Sequence, residues 1–312
     1  MPQVSKLHLR ASTTKSSKRR RPGSTEKPVE ILRAPTFAQL SWLVHGFSTR
    51  QGGVSTCHRG KSLNLGVTQY DTKENVARNR RFFLSALGAE DEDGNLWPLV
   101  QLKQIHSSVV HRVNAEPREA LSGDGLITNT PRLLLSIKTA DCVPVLIADV
   151  KRRAIGAFHA GWRGTVARIV EKGIGEMRRH FGGVPRDLHA VIGPCIRRCC
   201  YQVGAEVRAA FESQFSYADE LFEEVFDADA IHVRYPLLFL NQRSPGHGDI
   251  GPAIHLDLVE ANKRQLLDTG IREEHISVVN GCTACDTTRF FSHRAELGQT
   301  GRMMAVIGIR DE

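Results

Sequence analysis

The stretch from residue 133 to residue 164, LLLSIKTADCVPVLIADVKRRAIGAFHAGWRG, contains three apolar runs that are separated only by short turns. The runs 133–138, 143–150 and 154–159 have the length and apolar content of buried strands. An earlier segment, 99–113, has a similar pattern. These four segments predict successive strands that pair in one sheet.

Helical and extended patterns alternate outward from this stretch. Apolar periodicity predicts helices over 71–87, 165–181, 204–215 and 256–267. Further strands are predicted over 45–50, 188–192, 276–279 and 302–309. Asp71 or Thr72 is the expected N-cap of the first helix, and Gly and Pro make 236–252 irregular. The order of elements predicts an α+β (mixed α/β) fold, with a mixed sheet flanked by helices in one domain over 37–312.

The basic charge is concentrated at the N-terminus. The chain has 312 residues, 41% of them apolar, and a net charge of +8 from 42 Lys and Arg against 34 Asp and Glu. Residues 1–27 contain eight basic residues and one acid, Glu26, which leaves 34 basic and 33 acidic residues in the remainder. We therefore predict a disordered basic tail over 1–30 and expect no specific nucleic-acid partner.

The composition also bears on location. No apolar run approaches the length of about 20 residues that a membrane span needs. The N-terminus lacks the hydrophobic stretch of a signal peptide. The seven cysteines are odd in number and lie partly within motifs, which favours reduced thiols over a disulfide framework. We expect a cytoplasmic, monomeric protein that acts without a membrane.

Three residues at or near the ends of predicted strands are candidate metal ligands: His106, Cys142 and His159. Thiolate sulfur and imidazole nitrogen are ligands that zinc prefers. Three protein ligands leave one tetrahedral position open, which is typical of a catalytic zinc, because a structural zinc is closed by a fourth side chain. Asp141, next to Cys142, is a further candidate catalytic residue that would orient one of the histidines, unless it only caps the turn.

Motifs along most of the chain after the tail resemble one known family. They are STRQGGVS at 48–55, SLNLG at 62–66, QIHS at 104–107, DGLIT at 124–128, TADCVP at 139–144, HAGWRGT at 159–165, IGPCI at 192–196, FFSHR at 290–294 and TGR at 300–302. In this series the chain resembles the YfiH/YlmD family, whose members carry the labels polyphenol oxidase or laccase and purine nucleoside phosphorylase. The resemblance implies a fold related to the catalytic domain of cytotoxic necrotizing factor. It also implies a zinc held by His106, Cys142 and His159, and phosphorolysis of adenosine, inosine and methylthioadenosine with some adenosine deamination.

The chemistry of single residues supports parts of this function. A zinc with an open position activates water, which deamination at C6 of adenine requires. Phosphorolysis needs an anion site as well, and the candidates are Arg163, in a turn before a helix, and Arg50, beside a glycine turn. Asn64 could hydrogen-bond a ribose hydroxyl or a base edge. Asp124 is interpreted as part of an ordinary hairpin turn.

Three other functions stay open. A cysteine hydrolase or amidase, with Cys142 as nucleophile and His159 as base, would act on an amide or cell-wall substrate, as in peptidoglycan editing, and would need its thiolate free of metal. A copper-dependent polyphenol oxidase is disfavoured because the 13 histidines include no His-x-His motif, although the open site could bind copper adventitiously. A non-enzymatic binding protein would use the basic tail.

Five further cysteines could be drawn as a second zinc site: Cys195, Cys199, Cys200, Cys282 and Cys285. Cys282 and Cys285 have the two-residue spacing of a zinc knuckle. We expect no second site, because Cys199 and Cys285 depart from the family pattern and nothing in the family resemblance uses these thiols as ligands.

Overall fold

The computed structural model describes residues 28–58, 60–225 and 252–311, which contain sixteen strands and six α-helices. The strands are β1 Ile31–Leu32, β2 Leu43–Ser48, β3 Leu99–Val100, β4 Leu102–Lys103, β5 Val110–Arg112, β6 Leu121–Ser122, β7 Gly125–Thr128, β8 Leu134–Thr139, β9 Val143–Asp149, β10 Ala154–Ala160, β11 Leu188–Ile192, β12 Gln202–Val203, β13 Phe222–Val225, β14 Ala253–Leu256, β15 Ile276–Val278 and β16 Met303–Ile309. The helices are α1 Pro35–Ala38, α2 Lys73–Leu87, α3 Trp162–Val166, α4 Ile169–Phe181, α5 Ala205–Glu212 and α6 Leu258–Asp268. The predicted tail up to residue 27 and the irregular segment up to residue 251 lie outside the described residues.

Most strands belong to two mixed sheets. The first sheet has the order β1-β2-β16-β8-β3 and the second has the order β15-β11-β9-β10-β7-β5. Neighbours are mostly antiparallel, but β3 and β8, β5 and β7, and β11 and β15 run parallel. Two small sheets, β12-β14-β13 and β4-β6, accompany them. The prediction of a mixed α+β fold is confirmed.

The two large sheets pack against each other, and each has helices on its other side. Leu146 of β9 shares the core between the sheets with Ile307 of β16. The next residue along each strand points the other way, so Val145 belongs to the core under α4. Val306 likewise shares a core with Phe83 of α2. The central strands are thus buried on both sides, which explains why they are apolar at nearly every position.

The prediction that four successive segments pair in one sheet was wrong for 133–138 and for the first part of 99–113. Strand β8 pairs with β16 and β3 in the first sheet, whereas β9 and β10 pair with each other in the second sheet. The chain crosses from one sheet to the other at 140–142. A turn between strands of different sheets can be as short as a turn between neighbouring strands of one sheet, so turn length does not distinguish the two cases. The predicted strand 99–113 is also divided, into β3, β4 and β5, with His106 in a left-handed conformation at φ 57° between β4 and β5.

The observed helices agree more closely with those predicted from the sequence. The helix expected over 71–87 is confirmed as α2, and its N-cap is Thr72, whose Oγ1 accepts a hydrogen bond from the N–H of Asn75 at 3.1 Å. The helix expected over 165–181 is instead two helices, α3 and α4, because Arg168 adopts a left-handed φ of 58° between them. Of the described helices, none has the length and apolar character that crossing a membrane requires.

Candidate metal centre

Three segments bring His106, Cys142 and His159 together, and we call these residues the three-ligand cluster. In the antiparallel pair of β9 and β10, His159 lies opposite Pro144, which places it beside Cys142 at the start of β9. His106 comes from the turn after β4, and its Nε2 lies 3.8 Å from the Sγ of Cys142. One ligand atom from each of the three residues lies within 4.8 Å of the other two. The candidate ligands therefore form one group.

A buried carboxylate supports the three-ligand cluster from behind. Asp124 is fully buried and accepts a hydrogen bond from Nδ1 of His159 at 2.8 Å. Carboxylate partners of this kind fix the orientation and the tautomer of a ligand histidine. Because Nδ1 is engaged, the Nε2 of His159 is the nitrogen that remains for a metal ion or for the Cys142 thiol.

The turn that presents His106 depends on the same carboxylate. A φ of 57° is rare for a residue other than glycine. The N–H of His106 donates to Oδ1 of Asp124 at 3.1 Å, and the N–H groups of Ile105 and Ser107 donate to Oδ2 at 3.2 and 2.6 Å. Three consecutive N–H groups on one carboxylate hold this conformation in place. The interpretation of Asp124 as an ordinary hairpin residue was therefore wrong.

Of the two roles left open for Asp141, its contacts favour the cap of the turn over the orientation of a histidine. Its carboxylate accepts hydrogen bonds from Oγ1 of Thr283 at 2.6 Å and from the N–H of Arg294 at 2.7 Å. Within the described part of the chain, no hydrogen bond joins it to either ligand histidine. Asp141 has a left-handed φ of 96° at the corner where the chain leaves the first sheet. It therefore fixes the corner that precedes Cys142 and does not orient an imidazole.

Gly161 leaves the space that the three-ligand cluster needs. A β-carbon at this position would lie 3.0 Å from the Sγ of Cys142 and 3.1 Å from Cδ2 of His106. Both distances are shorter than an ordinary van der Waals contact between such atoms. A side chain at Gly161 would therefore push the two ligands away from their present positions.

The charges of the thiol and the imidazole stabilise each other. Burial disfavours the thiolate of Cys142, but the charge of His159 and the hydrogen bond with His106 outweigh burial and lower the pKa of Cys142 to about 6. Burial also disfavours a charged His159, yet Cys142 and Asp124 raise the pKa of His159 to about 9. The thiolate, which is the form that binds a metal or attacks carbon, is thus favoured at neutral pH.

The three-ligand cluster opens into a cavity of about 570 Å³. The cavity is also lined by Lys138, Arg294 and Arg302, which we call the basic wall. Burial lowers the pKa of Lys138 and that of Arg302, so both cations are partly removed from water. Asp141 and Cys142 line the same cavity, and their negative charges act on Arg302. The cavity thus combines candidate metal ligands with more basic than acidic side chains, which is suited to an anionic substrate.

Comparison with known proteins places this site in a family. Residues 44–310 match the sequence profile of the family described as multi-copper polyphenol oxidoreductase laccase. The chain is 36% identical over 286 residues to a purine nucleoside phosphorylase of Deinococcus radiodurans, covering 91% of this chain and 95% of that protein. It is 32% identical over 267 residues to adenosine deaminase RL5 of an unknown prokaryotic organism, covering 83% and 91%. The crystal structure of YlmD from Geobacillus stearothermophilus matches with a TM-score of 0.71 at 30% identity, covering 93% of this chain and 98% of that one.

The chain belongs to the YfiH/YlmD family. Two of the motifs that carry the resemblance also contain residues that the sequence analysis gave no role. Asp124 opens the DGLIT motif, and Arg302 ends the TGR motif. Their position inside family motifs was the available signal, and the hydrogen bonds of Asp124 and the place of Arg302 in the cavity supply the reason.

The structure does not bring Arg50 to the cavity of this YfiH/YlmD protein. Its guanidinium donates to the carbonyl oxygens of Thr287 at 2.6 Å and His58 at 2.7 Å, and it forms an ion pair with Glu296 at 3.0 Å. The side chain is 7% exposed. A buried guanidinium with these partners has no free edge for phosphate. We therefore assign Arg50 to the framework that ties the loop after β2 to the C-terminal segment.

The other two predicted substrate residues are also outside the cavity. Asn64 is fully buried, and its amide donates to Asp71 at 2.7 Å and accepts from the N–H of Arg302 at 2.9 Å. Asn64 therefore positions a member of the basic wall. Arg163 is exposed and lies over the ring of Trp162 at 4.2 Å, outside the residues that line the cavity.

Proposed function

We propose that this protein is a zinc-dependent purine nucleoside phosphorylase that acts on adenosine, inosine and methylthioadenosine and also deaminates adenosine. The observation that carries the proposal is that the three-ligand cluster and the basic wall line the same cavity. A phosphorylase must hold an anion, whereas a deaminase must activate water, and this cavity offers groups for both tasks. The relatives named purine nucleoside phosphorylase and adenosine deaminase support the same assignment.

The donor atoms of the three-ligand cluster fit zinc. Zinc binds sulfur at about 2.3 Å and imidazole nitrogen at about 2.0 Å, so two such atoms lie about 3.6 Å apart in a tetrahedral site. The Sγ of Cys142 and the Nε2 of His106 are 3.8 Å apart. At an open position zinc supplies Lewis-acid polarisation of a substrate oxygen or of water. Copper binds the same donors, and we regard it as an adventitious occupant.

The protein's own residues would bind the two substrates of phosphorolysis. In that reaction a phosphate oxygen forms a bond to C1′ of the ribose while the bond from C1′ to N9 breaks, and the purine leaves with a proton. The basic wall offers cations to the phosphate. Tyr201, Ile196 and Leu258 also line the cavity and offer it apolar and aromatic surface for the nucleoside. Deamination of adenosine in the same cavity would consume water and release ammonia without phosphate.

An assay with and without phosphate tests this function. The full chain is given adenosine, and chromatography separates adenine from inosine while mass spectrometry measures metal content. We expect phosphate-dependent release of adenine together with some phosphate-independent inosine. Cys142→Ala should lose one equivalent of zinc and both reactions, whereas the control Cys57→Ala, at an exposed cysteine, should retain them. Full turnover by a Cys142→Ala protein that has lost this zinc would contradict the proposal.

One observation favours a second candidate function. Asp124, His159 and Cys142 stand in the order of a catalytic triad, with the carboxylate on Nδ1 of the imidazole and the thiol on its other side. A cysteine hydrolase or amidase built in this way would need Cys142 free of metal. The decisive result is retention of amide hydrolysis, and its loss on Cys142→Ser, in protein from which chelation has removed all metal.

A multi-copper oxidase is the weakest candidate, despite the description of the family. Among the described residues, the second group of metal-ligating side chains consists of cysteines only and contains no histidine. Multi-copper chemistry in laccases draws on many imidazoles. A cytoplasmic location, a monomeric state, one domain after a basic tail, and a fold related to the catalytic domain of cytotoxic necrotizing factor stay predictions.

A further inference from the structure

Four cysteines from two distant segments meet at the surface: Cys199, Cys200, Cys282 and Cys285. We call them the tetrathiolate cluster. Their sulfur atoms all lie within 4.8 Å of one another. The Sγ of Cys199 is 3.7 Å from that of Cys200, 3.7 Å from that of Cys282 and 3.4 Å from that of Cys285, and 3.2 Å separates the sulfurs of Cys200 and Cys285. The sequence analysis expected no second site because Cys199 and Cys285 depart from the family pattern, yet the fold brings both of them next to Cys200 and Cys282.

We propose that the tetrathiolate cluster binds one zinc ion as a structural site. Four thiolates at about 2.3 Å from one tetrahedral zinc lie about 3.8 Å from each other, which is close to the separations in this group. Polynuclear iron–sulfur centres place metal and sulfide atoms between their cysteines and therefore need wider groups. A set of soft sulfur donors also disfavours calcium, magnesium and manganese. The geometry is that of a site for a single soft or borderline ion.

Backbone N–H groups surround the sulfur of Cys282. The sulfur of Cys282 accepts hydrogen bonds from the backbone N–H groups of Ala284 and Cys285, and from that of Arg197 on the opposite segment. Hydrogen bonds from N–H groups stabilise the negative charge that a ligand sulfur keeps. Four thiols must lose their protons to bind zinc, so the site would release protons and leave a net negative charge on the cluster.

The segments that carry the tetrathiolate cluster also shape the cavity. Cys282 forms a parallel bridge with Cys195, where the N–H of Thr283 donates to the carbonyl oxygen of Cys195 at 3.0 Å. Tyr201, next to Cys200, lines the cavity, and Thr283 donates to the carboxylate that fixes the corner before Cys142. A zinc ion here would cross-link two parts of the cavity wall. Because four protein ligands leave no open position, its role is structural.

The test uses the full chain, loaded with zinc under reducing conditions and freed of excess metal. Inductively coupled plasma mass spectrometry then gives the zinc content of the wild type, of Cys199→Ser/Cys285→Ser, of Cys142→Ser and of the control Cys57→Ser. We expect the double variant to lose one equivalent relative to Cys57→Ser. Cobalt added to Cys142→Ser should give the intense visible absorption of a tetrahedral thiolate site, and this absorption should vanish when the double substitution is added.

Each other outcome has a defined meaning. An unchanged zinc content in the double variant would overturn the proposal, and so would a Cys142→Ser protein that gives no thiolate spectrum with cobalt. Iron in place of zinc in the purified protein would overturn the choice of metal. The proposal would also be overturned if the purified protein had the lower mass of a disulfide-bonded chain and bound no metal after reduction. The four cysteines would then form redox-active disulfides. Failure of the three-ligand cluster to bind zinc would lower the wild-type content but leave the cobalt spectrum of Cys142→Ser intact.

A second measurement covers the case in which the double variant does not fold. Wild-type chain is treated with an alkylating reagent, with zinc bound and after chelation, and peptide mass spectrometry identifies the modified cysteines. Cys199 and Cys285 are exposed, like Cys57, so all three should react quickly after chelation. With zinc bound, only Cys57 of these three should react. Equal reactivity of Cys199 and Cys57 in the presence of zinc would contradict the site.

Discussion

The three-ligand cluster and the tetrathiolate cluster differ in every property that decides what a bound metal can do. The first mixes nitrogen and sulfur, includes the buried His159 with Asp124 behind it, and opens into a cavity. The second has four sulfurs, includes the exposed Cys199 and Cys285, and lies outside the residues that line the cavity. An oriented ligand, an open position and room for a substrate describe a reactive centre, whereas a closed set of thiolates describes a cross-link.

His159→Ala should have the largest effect on the three-ligand cluster, because it removes a ligand and the partner of Asp124 at once. We expect nucleoside turnover to fall to the uncatalysed background and the three-ligand cluster to lose its metal, while the tetrathiolate cluster keeps its own. Initial rates and metal content measure both. His180→Ala is the control, since His180 pairs with Glu176 on α4 and lies outside the cavity. Activity retained in His159→Ala would show that the reactive centre lies elsewhere.

Asp124→Asn should have the next largest effect. Asparagine retains an acceptor oxygen but loses the charge that orients His159 and holds the His106 turn, so metal affinity or activity should fall about 10- to 100-fold. Competition with a zinc chelator and steady-state kinetics give the two values. Asp149→Asn is a matched control, because Asp149 is equally buried and accepts the N–H groups of Lys151 and Arg152 at a distant strand end. Similar losses of metal affinity and activity in both variants would show that Asp124 has only a structural role.

The basic wall should affect phosphate more than the metal. Lys138→Met removes a partly buried cation, and losing one charge-assisted contact of about 1.5 kcal/mol should raise the KM for phosphate about tenfold. Zinc content and phosphate-independent deamination should stay close to the wild type. Arg163→Gln, at an exposed arginine outside the cavity, should leave the phosphate KM unchanged. If Arg163→Gln raised the KM for phosphate and Lys138→Met did not, the phosphate site would lie at Arg163.

The tetrathiolate cluster should give the smallest kinetic effect and a clear effect on stability. In Cys199→Ser/Cys285→Ser the KM for nucleoside should change about threefold or less, which corresponds to ~0.6 kcal/mol. The thermal midpoint should fall and should no longer rise with added zinc, because a metal that binds only the folded state stabilises it. Scanning calorimetry of the full chain with and without zinc measures this. A complete loss of turnover would assign the cluster to the reaction itself.

Local structure was predictable where burial and capping determine it. The central strands lie between two apolar layers, so their sequences show continuous apolar runs, and Thr72 begins α2 with its own side-chain hydrogen bond. The assignment of these strands to one sheet failed at the corner of Asp141. The side chains that hold this corner, Thr283 and the backbone of Arg294, lie far along the chain, and no local pattern near Asp141 reveals them.

The residues of the site were likewise predictable only where the local sequence determines their role. The three ligands lie at or near the ends of strands within recognisable motifs, and sulfur and imidazole donors indicate a metal by their chemistry alone. Arg50 beside a glycine turn has the same local sequence whether it faces phosphate or, as observed, the buried Glu296. The tetrathiolate cluster was considered and set aside, because the family pattern lacks Cys199 and Cys285 and their proximity arises only through tertiary structure.

The position of β16 has a consequence for how the protein is made. This strand pairs with β2 on one side and with β8 on the other, so it fills the middle of the first sheet although it is the last of the described strands. During synthesis β2 and β8 emerge long before their shared neighbour, and their edges stay unpaired until residues 303–309 leave the ribosome. All three ligands have been translated by then. The growing chain therefore contains the thiol and the imidazoles of the three-ligand cluster before the first sheet can close.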